Sequence, residues 1–125
     1  MDDSGFILLV EDEPVLQAKN KKILERRGYH IRQAYTLAET RAVIADEPPL
    51  AIILDIQLPD GNGLEFLQEL RKTSTIPVLM LTAMGTPQDI VSILDTWGDD
   101  YLPKPYDLQV FLARVSALLQ RALSR

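Results

Sequence analysis

At 125 residues and 14.1 kDa the chain has the size of one domain built around one hydrophobic core. An apolar content of 46% and a charged content of 25% exclude a disordered, collagen-like or coiled-coil chain, and a net charge of -5 with pI near 4.8 argues against a general affinity for phosphate backbones. The absence of cysteine removes disulfides, thiolate catalysis and Cys-based zinc sites, and the single histidine, His30, removes any centre that needs two imidazoles.

The start, Met1-Asp2-Asp3-Ser4-Gly5, is acidic where a signal peptide is basic, and the apolar run after it, residues 6–10, is too short to span a bilayer. The reading is a cytoplasmic protein with no membrane partner. Residues 6–10, 30–34, 50–54, 77–81 and the weaker 100–102 are predicted as strands. Three of them are apolar without alternation, as strands covered on both faces of a parallel sheet are. Pro14 and Gly28 bracket a first helix over residues 14–27. Thr36 with Glu39 forms a capping box for a second helix ending near Pro48-Pro49, and Asn62 with Glu65 starts a third. Thr86-Pro87 opens a fourth, and Asp107 caps a fifth whose Leu108, Phe111, Leu112, Val115, Leu118 and Leu119 share one face. Five strands alternating with five helices predict a doubly wound α/β domain with a parallel sheet. No internal repeat, linker or low-complexity segment interrupts it.

In such a sheet ligands bind beyond the carboxyl ends of the strands, at the topological switch point. Glu11-Asp12-Glu13 follows the first strand, Asp55 ends the third, Thr82 ends the fourth and Lys104 follows the fifth. Asp12 and Asp55 brought together repel unless one is protonated or a cation lies between them, and an oxygen-only donor set suits Mg²⁺ rather than zinc. Two carboxylates and a backbone carbonyl, with that of Gln57 the candidate, leave room for a phosphate oxygen in a six-coordinate shell. Lys104 and Thr82 are then placed to meet two further phosphate oxygens. Aspartate can itself be the nucleophile and form an acyl phosphate, and Asp55 is the candidate.

Glu11-Asp12, residues 53–63 (Ile-Leu-Asp-Ile-Gln-Leu-Pro-Asp-Gly-Asn-Gly), Leu81-Thr82-Ala83 and residues 99–105 (Asp-Asp-Tyr-Leu-Pro-Lys-Pro) together resemble the receiver domain of bacterial two-component response regulators. The resemblance covers residues 6–123, so that residues 1–125 read as a single receiver domain, with any effector domain absent from this chain. It implies a flavodoxin-like sheet of strand order 2-1-3-4-5. It also implies a phosphoacceptor switch rather than an enzyme acting on other substrates, with Asp55 accepting a phosphoryl group from a sensor histidine kinase or phosphotransfer protein. By the same resemblance Asp12, Asp55 and the Gln57 carbonyl hold Mg²⁺, with Mn²⁺ as an alternative, and Glu11 helps through water. Lys104, in a cis Lys104-Pro105 bond, pairs with the phosphoryl group, and Thr82 and Tyr101 form the switch pair. The output face is that of the fourth helix, fifth strand and fifth helix. In the branch carrying winged-helix DNA-binding domains this face dimerises, which implies a homodimer on phosphorylation, transcription control as the output, and DNA contact only through the effector domain. Arg114 with Asp100 and Arg121 with Asp95 match ion pairs of that interface, while a third pair falls on Ile90 and Val110, both apolar here.

Two residues depart from the family pattern: Trp97 stands where glycine is usual, and Asn20 stands at a helical spacing from Leu16, Ile23 and Leu24 that an aliphatic residue usually fills. Other readings stay open. Glu11-Asp12-Glu13 alone also reads as a solvated acidic loop, Asp60 and Asn62 as turn and cap residues, His30 as a half-exposed strand residue, and Lys19, Lys21, Lys22, Arg26 and Arg27 as a solvated basic face or as a docking stretch for a kinase. A haloacid-dehalogenase-type phosphatase wants a second aspartate where Gln57 stands, and a flavodoxin-type nucleotide binder wants a glycine-rich loop after the first strand. A degenerate receiver acting only as a scaffold is the third alternative.

Overall fold

The apolar runs become the strands β1 (Ile7–Val10), β2 (Ile31–Ala34), β3 (Ala51–Asp55), β4 (Val78–Thr82) and β5 (Asp100–Pro103) of one sheet. This computed structural model describes residues 5–83, 88, 91 and 100–123. The strands are parallel and ordered β2-β1-β3-β4-β5, the expected flavodoxin-like order. Among the described residues the helices are α1 (Pro14–Arg26), α2 (Leu37–Asp46), α3 (Gly63–Leu70) and a C-terminal helix (Leu108–Leu123). The fourth predicted helix, with Ile90, Asp95, Trp97 and Gly98, lies outside the described residues apart from Gln88 and Val91, which are helical and exposed.

Local chemistry sets the helix ends. Pro14 occupies the first turn of α1, where its missing N–H costs nothing, and Gly28 stops the helix at a φ of +92°. The Thr36 hydroxyl accepts from the Glu39 amide at 3.0 Å at the start of α2, and Asn62 accepts from the Leu64 amide at 2.7 Å at the start of α3. Asp107 does the same for the C-terminal helix, accepting from the Gln109 amide at 2.6 Å. The second helix stops at Asp46, a little earlier than expected, because Glu47 precedes Pro48 and is driven to extended backbone. His30 is not a strand residue: it lies one position before β2 and is exposed, and only its carbonyl joins the sheet, accepting from the Ile7 amide at 2.9 Å.

Side chains alternate across the sheet. Leu8, Val10, Ile52, Leu54, Val78 and Met80 pack with Leu37 of α2 and Phe66, Leu67 and Leu70 of α3. Ile7, Leu9, Ile53, Leu79 and Leu81 pack on the other face with Leu24 of α1 and Phe111, Val115 and Leu118 of the C-terminal helix. β1, β3 and β4 are buried throughout, and each fully buried Leu or Ile stabilises the fold by roughly 1.5–3 kcal/mol relative to exposure. With both faces covered, polar groups collect at the carboxyl edge. No helix among the described residues is long and apolar enough to cross a membrane.

Candidate functional site

Adjacent parallel strands of similar register end side by side, so the residues that follow β1, end β3 and follow β5 converge. Carboxylate oxygens of Glu11, Asp12 and Asp55 lie within 4.8 Å of one another, with Glu11 and Asp55 buried and Asp12 exposed. The Lys104 ammonium donates to Glu11 Oε1 at 2.9 Å and to Asp55 Oδ2 at 2.8 Å. The second Asp55 oxygen accepts from the Gln57 amide at 3.3 Å. These groups line an open pocket of 370 Å³ together with Glu13, Leu58, Pro59 and Ala83. Lys104 is held at its backbone, where its amide donates to the Thr82 carbonyl at 2.6 Å, and Lys104-Pro105 is cis, as expected.

The three clustered carboxylates against one ammonium leave two negative charges in a partly desolvated pocket, to which Glu13 at the rim adds a further carboxylate. Burial pushes the Glu11 carboxyl above the ordinary glutamate range, the Lys104 bond opposes this, and the Asp55 charge adds to it. For Lys104 burial acts downward, yet the bonds to Asp55 and then to Glu11 outweigh it and hold the ammonium above its usual value. An all-oxygen cluster with that residual charge fits a hard divalent cation, and it offers zinc no nitrogen or sulfur donor.

Two loops frame the acids. The first, residues 11–13, is fixed from within: Glu13 caps α1 by accepting from the Val15 amide at 2.8 Å, and Glu11 Oε2 accepts from the Glu13 amide at 3.2 Å. The buried Gln17 amide nitrogen donates to the Leu9, Glu11 and Ala34 carbonyls at 3.1, 3.1 and 3.0 Å, tying the ends of β1 and β2 to α1. The second loop, residues 56–62, is turned back by pairing of Gln57 with Asn62 and Leu58 with Gly61. Gly63 then passes under the strand end: its amide donates to the Ile56 carbonyl at 2.6 Å, and a Cβ there would collide with the Asp55 carbonyl oxygen.

Thr82 is buried at the end of β4 and Tyr101 is half-buried in β5, packed against the cluster that contains Met80. Alternation puts both on one face of the sheet. Arg114 and Asp100, matched above to an intersubunit pair, are joined here within one chain, Arg114 Nη1 donating to both carboxylate oxygens at 2.9 and 3.0 Å. Val110 and Arg121 are exposed on the C-terminal helix, whereas Ile90 and Asp95 lie outside the described residues.

Sequence reasoning passed over Gln17, whose signal was a polar residue at the inward spacing Gln17, Asn20, Leu24. Asn20 is buried, and its amide donates to the Tyr106 hydroxyl at 2.7 Å, joining α1 to the segment after Lys104-Pro105. The Tyr106 ring stacks on Phe111 at 5.1 Å, and burial, opposed by the Asn20 bond, holds its hydroxyl pKa above the ordinary value. Asp60 does more than turn the chain, since it accepts from the Leu37 amide at 2.8 Å and the Ala38 amide at 3.0 Å at the start of α2.

A doubly wound sheet that gathers three carboxylates and a lysine on its carboxyl rim defines a flavodoxin-like domain with an acidic pocket at its switch point. The chain belongs to the response regulator receiver domain family, whose pattern it matches over residues 7–116. It is 42% identical over 118 residues to the DNA-binding dual master transcriptional regulator RpaA of Synechocystis, covering 92% of this chain and 49% of that protein. It is 38% identical over 115 residues to the KDP operon transcriptional regulatory protein KdpE of Escherichia coli, covering 92% of this chain and 51% of that protein. The chain therefore spans about half the length of the curated relatives it matches. Among solved structures, a two-component response regulator from Clostridium difficile superposes with a TM-score of 0.88 at 33% identity, covering 94% of this chain and 98% of that one. The non-phosphorylated HemR receiver domain of Leptospira biflexa gives 0.86 at 31%, covering 93% and 94%.

Proposed function

We propose that this receiver domain is an Mg²⁺-dependent phosphoacceptor switch with Asp55 as the acceptor. The observation that carries the reading is the Asp55 carboxylate at the mouth of β3, bonded to Lys104 and within one ion's reach of Glu11 and Asp12. Asp12, Asp55 and the Gln57 carbonyl would hold Mg²⁺ and Glu11 would assist through water; bound there, the ion neutralises phosphoryl oxygen charge. An Asp55 oxygen forms the O–P bond as the P–N bond of a donor phosphohistidine breaks, and the electron pair returns to the imidazole nitrogen. Lys104, already bonded to Asp55, moves its charge to a phosphoryl oxygen, and the Thr82 hydroxyl donates to another. Withdrawal of Thr82 toward the phosphoryl group opens space on the sheet face it shares with Tyr101, whose ring turns inward and changes the surface beside the C-terminal helix.

The donor is a cytoplasmic sensor histidine kinase or phosphotransfer protein, met through the basic face of α1, where Lys19 and Lys22 are exposed. The output is transcription control, as the names of the relatives suggest. It would run through homodimerisation on the face that carries the exposed Val91, Leu108 and Val110, and through a winged-helix effector domain outside these residues. Arg114 would exchange its intrachain Asp100 bond for the one across the dimer, and Arg121 would meet Asp95.

The test is incubation with a small acyl phosphate and Mg²⁺ followed by intact-mass spectrometry. Wild type gains one phosphoryl group that hydroxylamine removes, and Asp55→Asn gains none. Equal labelling of both proteins rejects Asp55 as acceptor.

A further inference from the structure

The Gln57 carbonyl differs from the other proposed ligands. A carboxylate on a side chain adjusts its torsions to an ion, whereas a main-chain oxygen goes only where its loop goes. Residues 57–62 are exposed apart from the half-buried Leu58, so burial does little to hold this loop. At its base the Gly63 amide closes the loop by donating to the Ile56 carbonyl, packed against the Asp55 carbonyl at the end of β3. At its tip both oxygens of Asp60 are taken by the first two amides of α2, at 2.8 and 3.0 Å, across 23 and 22 residues of chain. Gly61 lies against the Leu37 side chain, so closely that a Cβ would approach Leu37 Cδ1 to 2.8 Å. The next helix amide, that of Glu39, is served by Thr36, so Asp60 and Thr36 divide the helix start between them. The two amide bonds also hold the Asp60 carboxyl below the usual aspartate range.

We propose that Asp60 is a positioning residue which pins the loop bearing the Gln57 carbonyl to the start of α2, and so sets the affinity of the acidic pocket for Mg²⁺. The inference rests on the reading of Gln57 as a metal ligand. It gives α2, which contributes no residue to the pocket lining, a hold on metal affinity through one carboxylate.

The test compares Asp60→Ala with Thr36→Ala by titrating Mg²⁺ into each protein and following backbone amide shifts by NMR. Both variants remove a cap from the same helix end, and only the first releases the loop. Asp60→Ala is expected to weaken Mg²⁺ binding about 10-fold, the usual scale for losing the support of a ligand, while Thr36→Ala stays within about twofold of wild type. Should Asp60→Ala fail to fold, Asp60→Asn keeps one acceptor oxygen and is expected to weaken binding by an intermediate factor. Unchanged affinity in the folded Asp60 variant, or an equal loss in Thr36→Ala, overturns the positioning role. If wild type binds no Mg²⁺, the ligand reading fails first and the inference goes with it.

Discussion

The two loops that line the acidic pocket at the carboxyl edge are held in place by opposite means. The loop after β1 is built from its own neighbourhood: Glu13 caps the helix it enters, and Gln17, one turn into that helix, reaches back to the Glu11 carbonyl. The loop after β3 is longer, largely exposed, and held by a helix that precedes it in the chain, through Asp60. A short loop running straight into a helix inherits that helix's rigidity, whereas a longer excursion needs an outside anchor. One pocket therefore has one wall fixed by local hydrogen bonds and another fixed by bonds between distant segments.

Substitutions can break this contrast at several strengths. The largest effect is expected for Gly63→Ala, because the added methyl meets the Asp55 carbonyl at a buried strand end where neither side yields easily. A loss of about 2–3 kcal/mol in urea unfolding is expected from the overpacking, and a wild-type midpoint would remove Gly63 as the base of the second loop. Gln17→Met keeps the volume and removes the donor from three carbonyls. Since Gln17 Oε1 is without a partner among the described residues, its own burial offsets part of the gain, and a net cost of about 1–2 kcal/mol is expected by the same measurement. Little change would mean that the first loop is not held by that amide. Thr36→Ala removes an ordinary cap and should cost about 1 kcal/mol, which calorimetry resolves.

The smallest effect is a pH dependence that belongs to the second loop. The folded-state pKa of Asp60 is depressed by the amides of Leu37 and Ala38, so its stabilising contribution is present above the unfolded aspartate value of about 3.9 and is lost as pH falls through the lower folded value. The stability gap between wild type and Asp60→Asn should be full at neutral pH and close on acidification. A gap that stays constant across the titration would show that charge plays no part in the anchor. Asp60 is exposed, so the change is small and is read as a difference between the two pH profiles.

Much of the molecule was legible because its signals are local or periodic. The unalternating runs of β1, β3 and β4 state that both sheet faces are covered, and helix starts at Pro14, Thr36, Asn62 and Asp107 follow from the capping chemistry of single residues. Asp12, Asp55 and Lys104 were identifiable as a set because strand ends of a parallel sheet share one edge. Other contacts were not legible, because their partners are far away in the chain. Asn20 looked like a polar intruder in an apolar helix face, yet its amide meets Tyr106, 86 residues on. Arg114 is bonded to Asp100 within this chain, a contact that the sequence pattern alone did not place.

By itself, then, the order of residues determined the α/β class, the start of each fully described helix to within a residue, and which edge carries the acids, since these depend on hydrophobic period and on caps that act within a few residues. Only the tertiary structure decided that Lys104 bridges Glu11 and Asp55, that Gln17 ties two strands to α1, and that Asp60 anchors its loop to α2. The reason is geometric: a hydrogen bond is made or lost within a few tenths of an ångström, and no one-dimensional pattern sets the separation of groups dozens of residues apart until the sheet and its covering helices have packed.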